Sequence, residues 1–412
     1  MKQQISNTHN SSEPSLRKAL GVFDGIAILI GIMIGAGIYS TPQIIAGYLG
    51  SFDSIIILWL LGGIFVFISG LIYAELGTRM PNTGGEYVYI NRCFGPYAGF
   101  IFGWAQLFIV RTSAAAGLAL IVADYLGYFI AFDKITRLIL ALAVIFLFGV
   151  LNYIGIQRAS VFQKLSTILK VGALLSIVTV GIVFSGSHEN LLSTRAAPEG
   201  GLNPVGSIVA AVMLIIFSHT GWERVGYSAG EMKNPRRVIP LTQVIGIGIV
   251  VLLYALTNMT YHRILGMEGM RESTIVASDV LTVLIGPIGA AIIAILVIIS
   301  ATGSINGTIM TAPRAYYAMA RDGLFFKWLD HVHSRFQTPS RAIAAHCLWA
   351  GAILIIRGTF ETIAAGLVFA ILIFYGLSTL ALFKMRRDRI GGQDIFRVPL
   401  YPFLPVLSLL LI

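Results

Sequence analysis

Charged residues are scarce in this chain of 412 residues, because Asp, Glu, Lys and Arg make up only 12% of it while 56% is hydrophobic. The surface of a soluble domain requires roughly twice that share of charge. Low-complexity stretches and long polar stretches are also missing from these residues. The composition therefore predicts an all-α integral membrane protein and argues against a soluble catalytic or signalling domain.

Cysteine is nearly absent, since Cys93 and Cys347 are the only two. The topology derived below places both on or near the cytoplasmic side, where structural disulfides are rare. The sequence also shows no Cys/His spacing typical of a zinc site. We therefore expect neither a disulfide framework nor a metal or other cofactor.

Apolar runs long enough to cross a bilayer, about 20 residues each, recur along the whole chain. We predict ten spanning segments: Val22–Gly47, Ser54–Leu76, Gly95–Leu126, Thr136–Ile156, Val161–Phe184, Pro204–Gly230, Val238–Thr260, Val276–Ala312, Ser340–Arg357 and Thr359–Phe383. An eleventh run begins near Tyr401 and is too short to span, so we expect it to continue beyond residue 412. The polar, basic N-terminus shows no cleavable signal peptide.

The formal net charge of +10 does not indicate nucleic-acid binding, which would need a soluble basic face. Most of the 29 lysines and arginines fall in the stretches on the side of the N-terminus. Cytoplasmic loops of membrane proteins carry such an excess. The sequence therefore predicts a multi-pass protein of the cell membrane with its N-terminus in the cytoplasm, surrounded by lipid and without a nucleic-acid partner.

The first apolar run is interrupted at its centre by Gly35, Ala36 and Gly37. Glycine allows close approach of a ligand to the backbone. A broken helix at this depth is tolerated only where it is buried in protein or lines a cavity. The alternative is a small-residue face for helix packing, which the spacing of Gly31 and Gly35 also fits.

The sixth run contains a second interruption, Phe217-Ser-His-Thr-Gly-Trp-Glu223. Runs one and six open the two halves of a five-plus-five division, and paired interruptions at such positions point to a transporter binding site. We predict a cytoplasmic tail over 1–21, a first repeat over 22–184, a second, inverted repeat over 204–383, and a cytoplasmic loop with the start of the eleventh run over 384–412.

Three basic residues lie within the predicted membrane: Arg111, Lys170 and Arg224. Ionisable groups at this depth face the protein interior and are functional candidates by default. Arg111 is a candidate substrate contact or a neutralised structural charge. Lys170 is a candidate cation at a position where sodium would otherwise bind, or a lysine that extends to the inner face. Lys170 and Glu223 are also candidate proton sites.

Several motifs occur in an order that resembles the amino acid–polyamine–organocation (APC) superfamily, over residues 20 to about 385. They are Gly35-Ala-Gly37, Ala74-Glu-Leu-Gly-Thr78, Pro81-Asn-Thr-Gly-Gly-Glu-Tyr87, Gly221-Trp-Glu223, Gly230-Glu-Met-Lys-Asn-Pro-Arg-Arg237, Asn306-Gly307 and Ala320-Arg-Asp-Gly323. The stretch from Ile109 to Ala114 resembles the L-type branch and its bacterial relatives.

The resemblance implies a LeuT-type fold of two inverted repeats, with helices 1 and 6 discontinuous. It implies a substrate site built from both interruptions, including Gly35 and Ser218. It assigns the substrate carboxylate to the amides of Ala36, Gly37 and Ile38. It assigns the ammonium to the carbonyls of Met33, Phe217 and Thr220, with Phe217 also as a gate and Lys170 in the place of sodium.

The chain departs from the family pattern at four points, one of which is Phe326 in place of a proline that often follows the Asp322-Gly323 turn. Ala36 stands where a serine is common, and Glu223 stands where L-type members tend to have asparagine. The loop between the third and fourth segments has no cysteine. Animal L-type proteins use a cysteine there to join a single-span heavy subunit, so we expect no such disulfide-linked partner.

The sequence thus predicts a secondary transporter of neutral L-amino acids, sodium-independent and working by exchange or proton coupling through alternating access. Alternatives are a permease for polyamines or for cationic or acidic amino acids, and an amino-acid-sensing receptor. A membrane enzyme is a further alternative, because His219 and Glu223 would share one face if the segment were helical. No nucleophile or metal cluster joins them, so we expect a transporter and not an enzyme.

Overall fold

The computed structural model describes residues 16–184, 203–357 and 367–412. Within these ranges the chain is almost entirely helical. Nine helical stretches in the described ranges are long and apolar enough to cross a membrane. The protein is therefore a polytopic membrane protein, as the composition predicts.

Residues 16–184 contain nine α-helices and one π-helical turn. These are α1 (Val22–Met33), α2 (Gly37–Ser40), α3 (Pro42–Tyr48), α4 (Phe52–Arg79), α5 (Glu86–Phe94), α6 (Pro96–Ala105), the π turn Gln106–Val110, α7 (Arg111–Leu126), α8 (Lys134–Tyr153) and α9 (Ile156–Phe184).

The described part of the second half, residues 203–357 and 367–412, contains eight α-helices and two 3₁₀ segments. These are α10 (Pro204–Ser218), the 3₁₀ segment Trp222–Glu231, α11 (Pro235–Glu272), α12 (Val276–Ile285), α13 (Ile288–Thr311), α14 (Pro313–Arg321), the 3₁₀ turn Lys327–Leu329, α15 (Ser340–Arg357), α16 (Leu367–Arg387) and α17 (Phe403–Leu410).

Helix starts follow local chemistry. Pro204 and Pro313 occupy first-turn positions, where the missing N–H group costs no hydrogen bond. The side chains of Asn203 and Asp133 accept hydrogen bonds from the amides of Gly206 and Thr136 and so cap α10 and α8.

The interrupted first helix lies at the centre of the helix packing. α1 packs against α9, α11 and α13, while α4 packs along α11. Gly31 lies against α9, because a Cβ atom there would come within 2.1 Å of the Gln163 amide nitrogen. The break that follows α1 is therefore enclosed by helices rather than exposed to lipid.

One of the ten predicted segments is divided in the structure. The predicted segment Val276–Ala312 is divided, because α12 ends at Ile285 and α13 begins at Ile288. Gly286 and Pro287 lie between the two helices, and this pair of residues ends α12. The prediction did not divide the segment because the apolar run continues across both residues. The ninth predicted segment, Ser340–Arg357, is helix α15 with the same bounds. The predicted start of the tenth, at Thr359, lies outside the described residues.

Candidate functional site

The first interruption separates α1 from α2. The Ile34 amide makes the last α-helical hydrogen bond of α1, to the Ile30 carbonyl. The next amide, that of Gly35, donates to the Met33 carbonyl instead. α2 begins at Gly37, so the amides of Ala36, Gly37 and Ile38 stand at a helix start, where intrahelical acceptors are missing. The break thus presents carbonyls at the end of one half-helix and amides at the start of the next.

The second interruption follows α10. The amide of His219 closes the last turn on the Ile215 and Ile216 carbonyls, and Gly221 then adopts φ +118°. A Cβ atom on Gly221 would come within 2.5 Å of the Ile32 side chain. Glycine is required here for both the backbone angle and the contact, so the two interruptions pack directly against each other.

Side chains and backbone join the two interruptions. The Tyr254 hydroxyl lies 2.8 Å from the Met33 carbonyl and 3.2 Å from the Ser218 carbonyl, which end α1 and α10 respectively. The hydroxyls of Thr41 and Ser218 lie 3.0 Å apart. A Cβ atom on Gly37 would lie 3.1 Å from Ser218 Cα. Both breaks are therefore held in one fixed arrangement.

A cavity of about 570 Å³ opens beside this arrangement. Its walls combine backbone of both interruptions with hydroxyl-bearing side chains. The predicted substrate residues that line it are Met33, Gly35, Ala36, Gly37, Phe217, Ser218 and Thr220. The further polar residues are Ser40, Thr41, Gln43, Ser113, Asp124, Tyr125, Arg224, Ser304 and Thr308. Such a volume, largely apolar with a few convergent polar groups, suits a small-molecule ligand.

Two predicted substrate residues do not line the cavity. The Ile38 side chain is completely buried, so only its amide could take part in binding. The Arg111 side chain is 1% exposed, and its guanidinium lies 2.9 Å from Glu223 Oε1 and 3.7 Å from Glu86 Oε2. This geometry corresponds to the neutralised structural charge, and a substrate contact by Arg111 stays a prediction.

Lys170 on α9 reaches the first interruption. Its side chain is 1% exposed. The Nζ atom donates to the carbonyls of Gly31 and Ile34 at 2.6 and 2.8 Å, and lies 3.3 Å from Ser304 Oγ. The Lys170 amino group therefore hydrogen-bonds to the carbonyl end of α1 and does not extend to the inner face.

Four buried ionisable side chains form a network next to the cavity. Glu223 pairs with Arg111 and, at 3.4 Å, with Arg224. It also accepts hydrogen bonds from the Gly221 amide and the Tyr375 hydroxyl. Glu86 accepts hydrogen bonds from Tyr73 and Tyr227. Two carboxylates face two guanidiniums, so the formal charges of this network balance.

His219 and Glu223 do not share a helical face, because Gly221 breaks the helix between them. The His219 ring is buried against Trp59 and Tyr254 and bonds to the Ile215 carbonyl, whereas Glu223 belongs to the ion-pair network. The geometric basis of the enzyme hypothesis is therefore wrong. Among the described residues, no cluster of His, Cys, Asp and Glu could hold a metal ion.

Sequence reasoning missed several residues of this site. Tyr254 and Thr308 lie in apolar helices without a local signal, and only the folded chain brings them to the breaks. Glu86 was visible only as part of a family motif. Arg224 lines the cavity, and its charge within a predicted membrane-spanning segment is the signal in the sequence that points to this position.

Comparison with known proteins decides the family. The sequence profile described as amino acid permease matches residues 20–412. The chain belongs to the amino acid permease family, within the APC superfamily. This permease is 31% identical over 407 residues to the serine/threonine exchanger SteT of Bacillus subtilis, covering 97% of this chain and 90% of the exchanger.

Two animal proteins show a comparable similarity. The b(0,+)-type amino acid transporter 1 of Mus musculus is 30% identical over 416 residues, which cover 99% of this permease and 84% of the mouse protein. The human cystine/glutamate transporter is 30% identical over 400 residues, which cover 95% and 78% of the two chains. The permease is therefore an amino acid transporter and not an enzyme.

Proposed function

We propose that this permease carries neutral L-α-amino acids across the cell membrane by alternating access, without sodium. The observation that carries the proposal is the cavity whose walls include both helix interruptions, joined at Tyr254. Amides at a helix start favour a carboxylate, and carbonyls at a helix end favour an ammonium. One cavity thus offers a partner to each charge that all α-amino acids share.

In this proposal the substrate carboxylate meets the amides of Ala36, Gly37 and Ile38, and the ammonium meets the carbonyls of Met33, Phe217 and Thr220. Phe217 covers the bound substrate. Residues 22–184 and 204–383 form two inverted repeats that rock against each other, with the N-terminus in the cytoplasm. Lys170 occupies the position of a sodium ion, which supports sodium-independent transport. Lys170 and Glu223 are the proposed proton sites.

The names of the relatives support a small polar substrate. The Bacillus subtilis relative is called a serine/threonine exchanger, and the mouse relative is called an amino acid transporter. The loop between α7 and α8 contains no cysteine, so we propose that no heavy subunit is attached there by a disulfide.

Uptake into proteoliposomes tests the proposal. A panel of labelled L-amino acids is offered with and without internal unlabelled amino acid, and with and without an inward proton gradient. Uptake that requires internal amino acid indicates exchange, and uptake driven by the gradient alone indicates proton symport. Uptake that requires sodium would contradict the role of Lys170. Failure of the folded protein to carry any amino acid would reject the proposal and favour polyamines.

Replacing Tyr254 with phenylalanine should reduce uptake about three- to tenfold, because a hydrogen bond that positions both interruptions is lost. The measurement is the initial uptake rate, normalised to folded protein in the vesicles. Tyr97→Phe is the matched control, since Tyr97 is 77% exposed. Equal rates for Tyr254→Phe and the wild type would show that the hydroxyl does not organise the site.

A further inference from the structure

Arg224 is the buried charge that faces the cavity. It lies in the 3₁₀ segment that follows the second interruption, and its side chain is 7% exposed. Among the described residues that line the cavity, only Asp124 is also charged. Asp124 is 45% exposed and pairs with Arg137, so it lies at the solvent-accessible part of the cavity wall. Arg224 is thus the cation available to a ligand deep in the cavity.

The Arg224 guanidinium retains a hydrogen-bonding group for a ligand. Its Nη1 atom donates to Thr308 Oγ1 at 2.5 Å, and its Nε atom lies 3.4 Å from Glu223 Oε1. Among the described residues, the Arg224 Nη2 atom donates no hydrogen bond. It is also not one of the fully buried polar atoms that lack a partner. Since Arg224 lines the cavity, these N–H groups are accessible from it and require an acceptor.

Thr308 fixes the orientation of Arg224. Its hydroxyl accepts from Nη1 and donates to the Ser304 carbonyl at 2.8 Å, so its own proton is used. Ser304 lies one turn earlier on α13, and its Oγ atom faces Gly35 of the first interruption. A substrate held at the interruptions would therefore direct its side chain along α13 toward Arg224.

Charge balance restricts what that side chain can be. The nearby network pairs the carboxyl groups of Glu86 and Glu223 with the guanidinium groups of Arg111 and Arg224. A cationic side chain would be placed against the Arg224 guanidinium, and an anionic one would lie close to the Glu223 carboxyl group that already pairs with it. A neutral side chain with an oxygen acceptor satisfies the free N–H groups and leaves the balance intact.

We propose that Arg224, oriented by Thr308, forms the subsite that recognises the substrate side chain, and that it selects neutral amino acids with a hydroxyl or amide oxygen. This inference rests on the proposed function and adds the substrate class to it. Threonine and valine provide the sharpest comparison, because they have almost the same shape and differ by one oxygen atom.

The experiment measures kcat/KM for threonine and valine in proteoliposomes, with asparagine, leucine, glutamate and lysine as further substrates. The wild type should prefer threonine over valine by about tenfold or more, because the hydrogen bond has a charged donor. Arg224→Met should bring the ratio of threonine to valine close to one. Arg387→Met is the control, since its side chain is 74% exposed and should leave the ratio unchanged.

The outcomes separate this subsite from the general proposal. If the wild type carries no amino acid, the proposed function fails. If it carries threonine and valine equally well, or prefers glutamate or lysine, only the Arg224 subsite is wrong. If Arg224→Met does not fold, Thr308→Val replaces it, because loss of the orienting hydroxyl should also lower the ratio. An unchanged ratio in a folded Arg224→Met or Thr308→Val protein would overturn the inference.

Discussion

Replacing Gly37 with valine should reduce amino acid uptake by about tenfold or more while the protein still inserts and folds. A Cβ atom at this position would lie 2.9 Å from Ser218 Oγ and 3.1 Å from Ser218 Cα. The Ser218 backbone cannot move away without separating the two interruptions, and overpacking of this kind costs about 1–3 kcal/mol. The added methyl groups would also cover the amides proposed to bind the substrate carboxylate.

The Gly37→Val experiment needs separate measurements of folding and transport. Folding is assessed by size-exclusion chromatography and thermal unfolding in detergent, and transport by uptake into proteoliposomes. Gly47→Val is the matched control, because no atom lies within 4 Å of the corresponding Cβ position on Gly47. If Gly37→Val transported as fast as Gly47→Val, the close approach of the two interruptions would not be required for function.

The sequence predicted the parts of the site that depend on local chemistry. An uninterrupted membrane-spanning helix does not need the small residues Gly35, Ala36 and Gly37 at its centre. The structure has a helix break there. The combination of His219, Gly221 and Glu223 likewise marked the second break, which occurs after Ser218. Small and polar residues in a membrane-spanning run are a strong signal because the bilayer offers no solvent for unpaired amides.

Contacts between distant parts of the chain could not be predicted in this way. The Tyr254 hydroxyl meets Met33 across 221 positions, and Arg224 meets Thr308 across 84. Nothing near Tyr254 distinguishes it from a tyrosine that packs against other helices. The surroundings of Arg111 and Arg224 could not be predicted for the same reason. The Arg111 guanidinium is enclosed by carboxyl groups and Arg224 lines the cavity, although both are arginines in predicted membrane-spanning runs.

Gly31 and Gly35 have different surroundings in the structure, one packed against a helix and the other in the cavity wall. Gly31 has no room for a side chain because Gln163 and Thr167 lie against it. Gly35 lines the cavity, with Ser304 Oγ 3.6 Å from its Cβ position. The spacing of the two glycines fits a helix-packing motif. Only the positions of α9 and α13 around the break show that the two glycines have different surroundings.

Replacing Lys170 with alanine should lower uptake by about tenfold or more and change substrate affinity much less. The ammonium group donates hydrogen bonds to the Gly31 and Ile34 carbonyls, and hydrogen bonds from charged donors contribute about 1.5–3 kcal/mol. Without it, the carbonyl end of α1 carries unneutralised partial negative charge beside the break. The proposed carboxylate contacts at Ala36, Gly37 and Ile38 lie on the other side of that break, and Lys170 does not bond to the Met33 carbonyl proposed for the ammonium. Binding should therefore persist while the movement between states is impaired.

Measurement of both binding and turnover distinguishes this role from a general loss of structure. Binding is measured by scintillation proximity with labelled substrate, and turnover by uptake into proteoliposomes with and without sodium. Lys134→Ala is the control, because Lys134 is an exposed lysine at the start of α8.

After loss of the Lys170 amino group, the Gly31 and Ile34 carbonyls and the Ser300 and Ser304 hydroxyls would surround an oxygen-lined space. Sodium prefers such ligands, so partial recovery of uptake by sodium would support the role of Lys170 as its substitute. Uptake equal to that of Lys134→Ala would show that this cation is not needed for transport.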